Sequence, residues 1–172
     1  MDFARRDFSF RMILGAAAFV AVASGTMERA LAQAAPTPRP PPYGKPISLA
    51  EAQRILDAAQ AQAEKMEYAG AIAVVGPAGE LIAYRRLDGA GMAQAAQNKA
   101  FAAAVYRRPT KAFQDALNGG NAGIATLPSV IASEGGLPLI SNGSIVGAIG
   151  ASGGTPQEDG IVAGAGAAAL KR

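Results

Sequence analysis

From Leu49 onward, apolar residues recur at three- and four-residue steps: Leu49, Ala52, Leu56, Ala59, Ala63 and Met66, with Arg54, Asp57, Gln60, Glu64 and Lys65 between them. That is the period of a helix with one buried face, about five turns long. Ser48-Leu49-Ala50-Glu51 opens it as a capping box, the hydroxyl and the carboxylate each taking one orphan N–H. The period then changes. Ala71 to Val75 is a continuous apolar run, Pro77-Ala78-Gly79-Glu80 is a turn by composition, and Leu81 to Arg86 is a second run. The pattern predicts a hairpin whose first strand is the more deeply buried. Asp88-Gly89-Ala90-Gly91 breaks it. Met92 to Arg108 is alanine-rich and helical by propensity, with Pro109 as the stop. Thr110 is placed to cap a short helix through Leu117, and Asn118-Gly119-Gly120-Asn121-Ala122-Gly123 reads as a mobile loop. Leu137 to Ile140 and Ile145 to Ile149 flank Asn142-Gly143, the dipeptide that a type I′ turn requires because both central residues need positive φ. Thr155-Pro156-Gln157-Glu158 is a second capping box. It opens a final helix from Glu158 to about Leu170, in which Gly160, Gly164 and Gly166 lower stability but permit close approach to a sheet or a neighbouring chain.

The predicted order is helix, hairpin, helix, short helix, hairpin, helix. Two antiparallel hairpins sharing a sheet, with helices on it, make an α+β domain. No glycine-rich loop follows a strand at nucleotide-binding spacing. Upstream lies a different kind of segment. Arg5-Arg6-Asp7-Phe8-Ser9-Phe10 is a twin-arginine pair followed by aromatics. The apolar run from Met12 to Ala23 is shorter than the roughly 20 residues a spanning helix needs. Ala30-Leu31-Ala32 and Ala32-Gln33-Ala34 offer the small residues that signal peptidase requires. Residues 1–34 therefore read as a Tat-type signal peptide, implying a periplasmic or secreted protein with no stable membrane insertion after cleavage. Residues 35–46 contain Pro36, Pro38, Pro40, Pro41, Pro42 and Pro46 and read as an extended polyproline-like linker. The folded domain is expected over residues 47–172.

Composition narrows the chemistry. Half of the 172 residues are hydrophobic, but only 6% are aromatic, so alanine and glycine carry the packing. The net charge of +3 is too small a surplus for the dense basic stripe that nucleic acid requires. The chain has no cysteine and no histidine, which excludes disulfides, thiolate sites, Ser/His and Cys/His nucleophiles and imidazole ligation. Glu158 and Asp159 fall in a first helical turn, where acids belong for capping.

Cationic candidates remain. Lys99, Tyr106 and Arg107 are spaced seven and eight residues apart, two helical turns, and so are expected on one face. Thr110 adds a hydroxyl at the next helix start, and the Gly135-Gly136 pair allows a ligand close to the backbone. Together these residues form a candidate site for a carboxylate or a haem propionate. A solvated basic face at a helix C-terminus explains the same residues without a ligand.

Four stretches in order carry a resemblance: Leu81 through Ala90, Lys99-Ala100 through Arg107-Arg108-Pro109-Thr110, Gly135-Gly136-Leu137-Pro138, and Gly150-Ala151-Ser152-Gly153-Gly154-Thr155-Pro156. Together they resemble the GlcG/HbpS family of haem-binding or haem-degrading-type domains, related to the C-terminal domain of PduO. The resemblance implies a profilin-like α+β fold with an antiparallel sheet of about five strands. It also implies homo-oligomers, from dimers to octamers, and haem or another small molecule as ligand. Relatives commonly ligate haem iron through histidine, and Glu80 stands at a turn position where many carry one. Haem here would need non-histidine ligation, for which Tyr68, Tyr84, Tyr106, Met66 and Met92 are the phenolic or thioether candidates. The expectation is an exported, oligomeric ligand-binding protein. Two alternatives stand beside it: a catabolic enzyme or accessory subunit using Lys, Tyr or acid chemistry with Lys99 as an amine catalyst, and a partner-binding subunit without ligand.

Overall fold

The computed structural model describes residues 39–170. The predicted leader and the start of the proline-rich stretch lie outside them. The chain runs through helix α1 (Leu49–Lys65), strands β1 (Ala71–Val75) and β2 (Leu81–Arg86), and helices α2 (Ala93–Val105) and α3 (Lys111–Asn118). A 3₁₀ turn (Ala122–Thr126), strands β3 (Gly136–Ser141) and β4 (Ser144–Ser152), and helix α4 (Pro156–Ala168) complete it. The strands form one antiparallel sheet in the order β2-β1-β4-β3.

The α+β class is as expected, but the sheet has four strands rather than about five. Beside the part of β4 that β1 does not reach, residues 42–47 take up the ladder. Ile145 N donates to the Pro42 carbonyl (2.8 Å), Gly44 N to Ile145 O (2.8 Å), and Ile47 N to Val146 O (3.0 Å). Only Tyr43 and Ile145 form a bridge, a parallel one. Pro42 and Pro46 have no N–H to give, so this segment cannot extend into a full strand.

Local signals fix the element ends. Ser48 and Glu51 form the first capping box and Thr155 and Glu158 the second, each reciprocal. Hydrogen bonds from the Thr155 backbone and hydroxyl hold the Glu158 carboxyl below its ordinary pKa. Asn142 (φ 48°) and Gly143 (φ 73°) make the β3–β4 turn. Two boundaries differ from expectation. The buried stripe of α1 is Ala52, Ile55, Leu56, Ala59 and Ala63. Leu49, the first residue of the helix, is exposed. Helix α2 ends at Val105 rather than Arg108. Arg108 precedes Pro109, whose ring disfavours helical backbone before it. The chain therefore leaves the helix earlier, through Arg107 in the left-handed region (φ 54°).

Helices cover both faces of the sheet. On one, α1 and α4 bring Ile55, Leu56 and Val162 against Ile72, Val74, Leu139 and Ile149. Burying each such side chain contributes about 1.5–3 kcal/mol. On the other, α2 lays Ala96, Ala100, Ala103 and Ala104 on Ala71, Ala73, Val75 and Ala148. Strand β1 is central and fully buried, as its continuous apolar run predicts. The alanine layer draws α2 down until backbone meets backbone: a Cβ at Gly150 would lie 2.1 Å from Ala96 O, and one at Gly136 would lie 2.4 Å from Lys99 O.

Candidate functional site

The inward stripe of α2 is Ala96, Lys99, Ala100 and Ala103, and that of α4 is Asp159, Val162, Ala163 and Gly166. Each stripe therefore includes one charged residue at the same three- and four-residue spacing as its alanines. The two charges meet where β3 begins and β4 ends. Lys99 Nζ lies 2.6 Å from Asp159 Oδ2, and the residues are only 2% and 3% exposed. The ammonium also donates to the Glu134 carbonyl at 2.7 Å. The other carboxylate oxygen, Asp159 Oδ1, accepts from the Tyr68 hydroxyl (2.7 Å) and from Gly153 N (3.0 Å) and Gly154 N (3.1 Å). Burial, then the hydrogen bond to Asp159 and its negative charge, push the Tyr68 phenol well above its ordinary pKa, so it remains a neutral donor. Every contact is charge-assisted, the condition under which a buried pair offsets its desolvation.

Gly135 and Gly136 close the cluster. Gly135 sits at φ 124°, and a Cβ there would fall 2.7 Å from Asp159 Cβ and 3.1 Å from Lys99 Nζ. Gly136 N donates to Thr110 Oγ1 (2.9 Å), and Thr110 N donates to Gly136 O (3.0 Å). Thr110 was expected to cap α3. Its backbone is instead helical (φ −66°, ψ −20°), and its side chain makes no cap bond. The hydroxyl serves β3. Thr110→Val keeps the shape and removes this acceptor, leaving the buried Gly136 N–H unpaired. The expected loss is about 1–3 kcal/mol in urea unfolding.

Four of the six candidates, Lys99, Thr110, Gly135 and Gly136, thus come together. Tyr106 and Arg107 do not join them, because α2 stops at Val105 and its two-turn spacing no longer sets where they point. Tyr106 donates to Pro128 O (3.1 Å) and meets Phe113 edge-on, with centroids 5.5 Å apart. Arg107 lies over the Tyr43 ring, 5.4 Å from its centroid, with a long contact (3.5 Å) to Pro41 O. Arg108 covers Phe113 at 5.8 Å and donates to Tyr106 O.

Asp159 and Tyr68 join the cluster beside these candidates. Asp159 stands where a first-turn capping acid is expected, yet its step to Val162, Ala163 and Gly166 marks it as inward-facing. Tyr68, just after α1, carries no comparable periodic signal. No group of three or more Asp or Glu side chains is arranged to hold a metal among the described residues. Four of the five candidate axial ligands are engaged within the fold. Tyr68 serves Asp159 and Tyr106 serves Pro128, while Met66 packs against the α1–α4 core and Tyr84 against the alanine layer. Met92 is 61% exposed. Glu80, at the turn position noted above, accepts from Ala78 N within its own hairpin.

Residues 47–168 match the sequence model of the family described as "Haem degrading protein HbpS-like". The chain belongs to this HbpS-like family. Protein GlcG of Escherichia coli is 38% identical over 108 residues, 62% of this chain and 81% of GlcG. The crystal structure of a double mutant of HbpS from Streptomyces reticuli superposes with a TM-score of 0.69 at 30% identity, covering 81% of this chain and 99% of that one. A complex of PduOC with haem gives a TM-score of 0.68 at 23% identity, covering 73% and 96%, a likeness of fold.

Proposed function

We propose that this chain is an exported, homo-oligomeric binding protein that takes a small carboxylated ligand, with haem held by its propionates as the specific case. The observation that carries the reading is the adjacent pair Arg107 and Arg108. Neither is in an ion pair among the described residues, and both lie on aromatic rings. A guanidinium held over an aromatic ring has five N–H groups, and each of these arginines gives only one to a carbonyl, leaving the others for a carboxylate. The family description supports haem as the ligand, and the Arg5-Arg6 leader supports export. For assembly, the exposed Ile161 on α4 offers an apolar contact to a second copy. Lys99, Thr110, Gly135 and Gly136 act as the frame that holds the start of β3 against α2, while Arg107 and Arg108 face the ligand and Tyr106 stays packed on Phe113. The chain supplies no imidazole or thiolate, so the proposal concerns the carboxylates and derives no chemistry at iron.

Titration of protein purified from the periplasm with haemin tests it. The wild type is expected to shift the Soret band, and Arg107→Ala to weaken binding about tenfold, the scale of one charge-assisted hydrogen bond. An unchanged spectrum in the wild type at micromolar haemin removes haem as the ligand. The amine-catalyst alternative meets an obstacle in the geometry: the Lys99 ammonium is already committed to Asp159 and Glu134 O.

A further inference from the structure

The proline-rich stretch reads in sequence as a spacer, yet its Tyr43 makes more contacts than a spacer needs. The ring is 49% exposed, so it is not part of the core. Its hydroxyl donates to Val105 O at 3.0 Å and reaches Ala104 O at 3.4 Å. Both carbonyls lie at the C-terminal end of α2; Ala104 O already accepts from Arg107 N (3.2 Å), so the hydroxyl's main acceptor is Val105 O. The hydroxyl thereby fixes the ring, and the ring lies under the guanidinium of Arg107. Arg107 is itself one of only four non-glycine residues with positive φ among those described, so its direction is set at both ends, by a left-handed backbone and by a stacked face. The segment carrying Tyr43 is short and stiff. Pro42 fixes φ on one side, and the chain is pinned at Gly44 and at Ile47 on the other.

We infer that Tyr43 is a positioning residue for the anion site, holding Arg107 by its face so that the N–H edge is presented to a carboxylate. This rests on the binding role given above to Arg107, and it makes the mature N-terminal strap part of that site. The ordering of a long, flexible arginine side chain is then completed before the ligand arrives, and affinity rises because that ordering is not charged to binding.

Haemin titrations of the full chain test it through a double-mutant cycle. Tyr43→Ala is expected to weaken haemin binding about three- to fivefold, the scale of an exposed cation–π contact. Tyr43→Phe keeps the ring but loses the hydroxyl anchor, so it is expected to bind between the wild type and Tyr43→Ala. In an Arg107→Ala background, Tyr43→Ala is expected to do nothing further. Tyr43→Ala and Tyr43→Phe should melt with the wild type, since the ring is half-exposed. The inference is overturned if Tyr43→Ala binds as the wild type does while Arg107→Ala is weakened, and equally if Tyr43→Phe falls as far as Tyr43→Ala, which would assign the effect to the hydroxyl. It also fails if the Tyr43 effect persists without Arg107. If Arg107→Ala binds haemin as tightly as the wild type, or the wild type does not bind it, the anion-site reading fails first and takes this inference with it.

Discussion

Gly150→Ala is expected to lower stability by about 3 kcal/mol or more, while the same substitution at Gly164 raises it by about 0.5–1 kcal/mol. Gly150 lies in strand β4 and Gly164 in helix α4, and their surroundings decide the contrast. At Gly150 the added Cβ would stand 2.1 Å from Ala96 O and 2.5 Å from Ala100 N, both main-chain atoms of α2. A side chain can rotate away from such a contact, but a helix backbone has to lift off the sheet. Lifting it opens the whole layer of Ala96, Ala100, Ala103 and Ala104 over Ala71, Ala73 and Ala148. A layer of methyl groups has no long side chains to follow the helix outward, so close contact is lost along the length of α2. At Gly164 nothing lies within 4 Å of the new atom. The change there only removes backbone freedom from the unfolded chain. Thermal and urea unfolding of both variants measure the contrast. A domain of this size should lose roughly 10 °C in Tm at Gly150, and equal behaviour at the two sites would refute the backbone-on-backbone account of α2.

This contrast marks where the sequence was readable. Signals that act within a few residues carried over directly. Both capping boxes, the Asn142-Gly143 turn and the buried run of β1 depend on local chemistry and are found as predicted. Boundaries set by competition between neighbours shifted. Pro109 ended α2, but through Arg108 and a left-handed Arg107, so the expected shared face of Lys99, Tyr106 and Arg107 dissolved. Thr110 has the composition of an N-cap, yet a partner distant in sequence, Gly136 N, took its hydroxyl. No local rule sees that bond, because it forms only after β3 docks beside α2. Strand order was invisible for the same reason: two hairpins predict their own pairs, but not that β1 lies beside β4. The buried charges stand between these cases. Lys99 and Asp159 each keep step with small apolar residues on their helices, and that step was legible. What hid them is the habit of assigning charged residues to the surface, a rule that holds unless a partner lies opposite.

The buried pair leads to the other large effect. Removing Asp159 is expected to cost more than removing Lys99, even though the two share one ion pair. In Lys99→Met the carboxylate loses the ammonium but keeps the Tyr68 hydroxyl and the N–H groups of Gly153 and Gly154. Three donors remain aimed at one oxygen, and they hold the negative charge. In Asp159→Ala the ammonium keeps a single acceptor, Glu134 O, and the phenol and two amides lose theirs. Breaking a buried pair from one side costs about 3–5 kcal/mol. Asp159→Ala should reach or exceed the top of that range, and Lys99→Met should fall near its foot. The double variant Lys99→Met/Asp159→Ala should be less destabilised than the sum of the two, since no unpaired charge is left in the buried cluster. Urea unfolding of the wild type and the three variants supplies the cycle. If Lys99→Met proved the costlier single change, the Tyr68 and glycine donors would not be carrying the carboxylate, and the tie between α2 and α4 would have to rest on the ammonium alone.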